Sequence, residues 1–132
     1  SKGIDLDLGN NLILKNEVGV MNVILFDFEL SERQLRDRIG NIDIPNNFFI
    51  SKIGRGKLLD GGPDKIFKYI KREAESVNAK FIIIDNITKI GNDLEKGENA
   101  IKFMEPLWEL VRNEGYTVLI IAHTTNLIEN YL

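Results

Sequence analysis

Three short, continuous apolar runs constrain the fold of this chain most: residues 23 to 28 (VILFDF), 81 to 84 (FIII) and 117 to 122 (TVLIIA). Each is β-branched or aromatic-rich and too short for a helix. Continuous apolar character, as opposed to strict alternation, suits strands covered on both faces, the habit of parallel sheets inside α/β proteins. A fourth, weaker strand is expected at 47 to 50 (NFFI).

Helical patterns fill the intervals. Ser31 and Gln34 have the spacing of a capping box, with Leu30 and Leu35 placed as a hydrophobic staple, so a helix is expected to start at Ser31 and turn Leu35 and Ile39 to the sheet. Gly62-Pro63 opens a second, whose Ile66, Phe67, Ile70, Ala74 and Val77 recur at threes and fours and whose stop is Asn78. A third is expected from about Leu94 to Glu114, with Ala100, Ile101, Met104, Leu107, Trp108 and Val111 on one face and Gly115 as its cap. Pro106 should kink or restart it. Trp108 and Phe103 share its apolar stripe and are read as core, not as base-stacking platforms.

Strand and helix in alternation predict an α/β fold, a mostly parallel sheet sandwiched by helices with right-handed crossovers. The 132 residues make one domain, with residues 1 to 22 as a leader without a clear element and 23 to 125 as the core. The chain opens at Ser1, and its last strand runs almost to Leu132, so it is expected to be a fragment.

Composition removes several classes of function. A net charge of −3 gives no whole-surface footprint for nucleic acid or an anionic membrane, so any such contact must be a local patch. With no Cys and one His there is no disulfide framework, thiolate zinc site or multi-histidine centre. No membrane span and no signal peptide are recognisable, and a cytoplasmic location is expected.

In open α/β sheets ligands bind beyond the carboxyl ends of the strands. The polar residues there are Asp27 and Glu29, then Asp85, then His123 with Thr124 and Thr125. Two or three carboxylates and an imidazole on one edge suit metal-assisted phosphoryl transfer, in which Mg²⁺ takes one carboxylate, another polarises water and the imidazole senses phosphate. FIIID has the form of a Walker B segment. Each residue also has a plainer role: Asp85 as a loop cap, Glu29 as a first-turn acid, His123 as a structural strand-end residue, the threonines as turn caps. A P-loop, GxxxxGK followed by Ser or Thr, is missing: before and after Gly56-Lys57 stand Ser51 in place of the first Gly and Leu58 in place of the hydroxyl. These 132 residues alone are therefore expected to bind ATP poorly. Lys52, Arg55 and Lys57, spaced by Gly54 and Gly56, form a basic loop able to reach a neighbour's phosphate or a nucleic-acid backbone. Lys65, Lys68, Lys71 and Arg72 read as a solvated helix face.

Taken together, residues 23 to 39 (VILFDFELSERQLRDRI), 81 to 90 (FIIIDNITKI) and 98 to 125 (ENAIKFMEPLWELVRNEGYTVLIIAHTT) resemble the RecA-like ATPases of the RepA helicase type, AAA-family ATPases common on bacterial mobile elements. The resemblance implies an incomplete RecA-like P-loop core, with Glu29 activating the attacking water, Asp85 holding Mg²⁺ through water and His123 sensing the γ-phosphate of ATP. It implies a parent that forms ring oligomers and uses ATP to act on DNA in replication or repair. The Walker A segment is expected ahead of Ser1, and the exposed sheet edges are expected to drive self-association or domain swapping. Arg55 as a trans-acting finger has no motif match. Two other classes stand beside this one. One is a non-catalytic interaction or scaffold domain; the other is a metal-dependent nuclease or TOPRIM-like phosphotransfer domain using Asp27, Glu29 and Asp85, though Asn86-Ile87-Thr88 offers no second carboxylate after Asp85.

Overall fold

The structure, a computed structural model, describes residues 6–7, 9–10, 12–15, 19–51, 62–87 and 97–122. Its order is β1 (Leu6–Asp7), β2 (Ile13–Leu14), β3 (Val23–Asp27), α1 (Glu32–Ile39), β4 (Phe48–Ser51), α2 (Gly62–Ser76), β5 (Phe81–Asp85), α3 (Gly97–Arg112) and β6 (Thr117–Ile121). The four long strands form one all-parallel sheet in the order β4-β3-β5-β6. The α/β class and the parallel sheet expected from the apolar runs are thus present, with the weak strand candidate shifted by one residue to β4.

Register follows the apolar pattern. Ile24 lies beside Ile82 and Ile82 beside Val118; Phe26 lies beside Ile84 and Ile84 beside Ile120. These side chains share one face and pack under Ile66, Phe67, Ile70 and Ala74 of α2 and Phe103, Leu107 and Leu110 of α3. Phe67 and Phe103 meet edge to face, centroids 5.0 Å apart. No residue of α1 joins this cluster; Leu35 and Ile39 are only half-buried, the rest of the helix exposed. With right-handed crossovers the step from β3 out to β4 puts α1 on the opposite face from α2 and α3, because the next two steps run the other way.

Helix boundaries obey the capping chemistry. Ser31 caps α1: its hydroxyl accepts from the Gln34 N–H at 3.3 Å, and Gln34 Oε1 accepts from the Ser31 N–H at 2.9 Å. At the end of α2, Asn78 takes the left-handed conformation (φ 50°), and Ala79 N–H reaches back to the Ala74 carbonyl at 2.8 Å. Gly115 turns the chain out of α3 at φ 68°.

Three expectations need correction. The leader carries a hairpin: β1 and β2 pair antiparallel around Gly9 and Asn10, both at positive φ, with the Asp7 carboxylate accepting from the Gly9 N–H. The helix α3 continues through Pro106 without a restart. Its buried residues are Phe103, Leu107 and Leu110, whereas Ile101, Met104, Trp108 and Val111 face water, Trp108 with 51% of its surface open. Phe103 is core as expected; Trp108 is not. The apolar arc of α3 is wider than the face the sheet can cover, so periodicity alone placed the stripe one side too far round.

Candidate functional site

At the carboxyl end of the sheet Asp27 and Asp85 are register partners on the two central strands. Alternation puts both on the face opposite the α2/α3 core, beside Leu25 and Ile83. Both are half-buried. Phe28, just past β3, stays buried on the core side and donates its N–H to the Asp85 carbonyl, extending the pairing of β3 with β5 one step beyond the strand.

Asp27 is engaged locally. One of its carboxylate oxygens accepts from the N–H groups of Glu29 and Leu30, both at 2.8 Å, an Asx-type turn that folds the chain from β3 toward the cap of α1. This turn is the role the geometry gives Asp27. Glu29, held in that turn, aims its carboxylate across the strand end and accepts from the Asn86 side-chain amide at 3.0 Å. Asn86 follows Asp85 directly and is 1% exposed. A buried amide with its donor on a half-buried carboxylate fixes that carboxylate's position.

Glu29 and Asn86 therefore meet beyond the ends of the two central strands, Asn86 directly following Asp85. Sequence reasoning missed Asn86, reading it only as a place where a second carboxylate was lacking. Its signal was its position: the first residue after a buried strand lies where a side chain can turn back across the sheet edge. His123, Thr124, Thr125, Lys52, Arg55 and Lys57 lie outside the described residues. β6 ends with Ile121 beside Asp85, so the chain heads into the His123 segment from this same end of the sheet.

The donor set fits one kind of metal chemistry better than another. Among the described residues no group of three or more His, Cys, Asp or Glu gathers in a way that could hold a metal ion. A nuclease-like centre asks for several protein ligands; an Mg²⁺ carried by a nucleotide needs one carboxylate such as Asp85, the phosphates and water completing its shell. Elsewhere, a groove of about 290 Å³ between α2 and α3 is floored by Phe67, Pro106 and Leu110, with Lys71 and Glu114 paired across it at 2.7 Å. Its lining comes from α2, α3 and the turn after α3, and does not include Asp27, Glu29 or Asp85. No described helix is long and apolar enough to cross a membrane.

No known protein family matches the chain, and no curated protein matches it at a significant level.

Proposed function

We propose that this chain is part of the core of a RecA-like, RepA-type ATPase that couples ATP hydrolysis to work on DNA, its phosphate-gripping P-loop supplied by residues other than these 132. The observation that carries the reading is the pair Glu29, two residues past β3, and Asp85, at the end of the adjacent parallel strand β5, one carboxylate steered by a buried amide and the other ending an apolar strand in Walker B form. The strand order β4-β3-β5-β6 is compatible with such a core.

The division of labour rests on the geometry of Glu29, Asp85 and Asn86, and for the other residues on the resemblance and on the sequence. Asp85 would hold the Mg²⁺ of Mg-ATP through water, neutralising charge that builds on the phosphates. Glu29 accepts the proton of the attacking water; Asn86 keeps its carboxylate aimed, and the Asp27 turn keeps its backbone in place. His123, with Thr124 and Thr125, reports on the γ-phosphate. Lys52, Arg55 and Lys57 meet DNA or the phosphate of a neighbouring subunit in a ring.

Calorimetry and turnover test this. A longer protein carrying a GK[ST] element is expected to bind Mg-ATP and to lose at least about 100-fold in turnover on Glu29→Gln, the scale of a removed general base, while binding is retained. Tight Mg-ATP binding by these 132 residues alone, or full turnover by the Glu29→Gln protein, would overturn the reading. Mn²⁺-dependent DNA cleavage without nucleotide would point to the phosphotransfer alternative.

A further inference from the structure

Beside its buried residues α3 carries a second apolar line. Ile101, Met104, Trp108 and Val111 follow one another at intervals of three, four and three, the spacing of the seam between two packed helices, yet 62%, 38%, 51% and 40% of their surfaces are open. Pro106, Glu109 and Leu110 turn toward α2, where they line the groove with Phe67 and Lys68. On a helical wheel the seam lies on the other flank of α3, away from α2. It runs on from the buried side of the helix without a polar break, which is the pattern of a helix with a further neighbour.

The path of the chain after β6 names that neighbour. β6 ends at Ile121 beside Asp85, at the carboxyl edge of the sheet. α3 leaves from this same edge after β5 and runs back to the start of the parallel strand β6, so Ile101 is the seam residue nearest the exit from β6. Residues 126 to 132 (NLIENYL) lie outside the described residues, and a connection of four residues, 122 to 125, joins them to β6. In their sequence Leu127, Ile128, Tyr131 and Leu132 recur at the spacing of one helix face, and Asn126 with Glu129 has the N-cap and N3 spacing of a helix start. Seven residues of helix are about 10 Å long, which matches the rise from Ile101 to Trp108.

We infer that residues 126 to 132 form a short amphipathic helix that turns back at the carboxyl edge and packs along α3, setting its apolar face on Ile101, Met104 and Trp108. Arg112, held over the Trp108 ring at 4.5 Å, closes the far end of the seam with charge. A segment of the same chain outcompetes a second copy, because so short a tether gives it a local concentration on the order of millimolar. Docked there, it pins both ends of the turn that carries His123, Thr124 and Thr125. The inference does not depend on the ATPase reading.

The chain has one Trp and no Cys, so two probes on the 132-residue protein read the contact without background. With Met104→Cys and Ile128→Cys together, mild oxidation is expected to close a disulfide within the chain, while Ile42→Cys with Ile128→Cys, the first at an exposed position beyond α1, stays reduced. Acrylamide quenching of Trp108 is the second probe. Its constant is expected to rise about twofold on Ile128→Lys, as the ring loses its cover, to hold steady on Asn130→Lys, and to be independent of protein concentration across the micromolar range. Should Met104→Cys fail to fold, the quenching series, which leaves α3 untouched, decides. A folded Met104→Cys, Ile128→Cys protein that stays reduced or links only between chains would overturn the inference. So would quenching indifferent to Ile128→Lys, or quenching that weakens as concentration rises, which would put a second copy on the seam.

Discussion

Removing the Asn86 amide isolates the contact on which the proposed site rests. Asn86 is 1% exposed and its Nδ2 lies 3.0 Å from Glu29 Oε2. A hydrogen bond to a charged group contributes about 1.5–3 kcal/mol, so Asn86→Ala is expected to destabilise the fold by about 2 kcal/mol once the small void is included. With a urea m-value near ~1.5 kcal/mol/M, that moves the unfolding midpoint down by roughly 1.3 M. The size of the loss does not by itself identify the contact, since any buried truncation costs something. A double-mutant cycle with Glu29→Ala does: if the two side chains bond each other, the double variant should be less damaged than the sum of the singles by about 1 kcal/mol or more. All four proteins are unfolded in urea at one fixed concentration, because self-association would shift the midpoints. Additivity within about 0.3 kcal/mol would refute the convergence of Glu29 and Asn86, and with it the steering of the proposed base.

Two further outcomes are expected. Ser31→Ala deletes one side of the capping box and should cost about 1 kcal/mol in urea unfolding, with Ser31→Gly nearer neutral; equal losses would mean the cap is not formed. Burial raises the Tyr116 phenol above its ordinary value near 10.0, with Glu75 and Glu114 adding to the rise and Lys71 opposing it, while the Glu114 hydrogen bond raises Lys71 above 10.5. Folded values above the unfolded ones give stability that is fully present below about pH 10 and is lost as the pH climbs through the folded values. The urea midpoint should therefore fall from pH 9 to pH 11 by more in the natural chain than in Tyr116→Phe, and an equal fall would contradict the assignment.

Much of the fold was legible because its signals are local. The three apolar runs mark β3, β5 and β6 by their own composition, while Ser31 with Gln34 starts α1 and Asn78 stops α2 through bonds that close within a few residues. What failed needed knowledge of the partner surface. The apolar arc of α3 is broader than its contact, and nothing in its period says which half meets the sheet. The hairpin in the leader was hidden by short strands without alternation, although Asp7-Leu8-Gly9-Asn10 held a readable turn. At the site, Glu29 and Asp85 were visible as strand-end carboxylates. Asn86 was not, because its value comes from reaching across to a neighbouring strand 57 residues earlier in the chain.

The turn made by Asp27 and the box made by Ser31 have a joint consequence. The bonds that close the Asp27 turn and the Ser31 box each span two or three residues, while Phe28 and Glu29 between them reach out to Asp85 and Asn86. Inserting one residue between Asp27 and Ser31 would uncouple the two clasps and turn the Glu29 carboxylate away from Asn86, so the aim of the glutamate depends on the spacing of two local turns as well as on the amide that receives it.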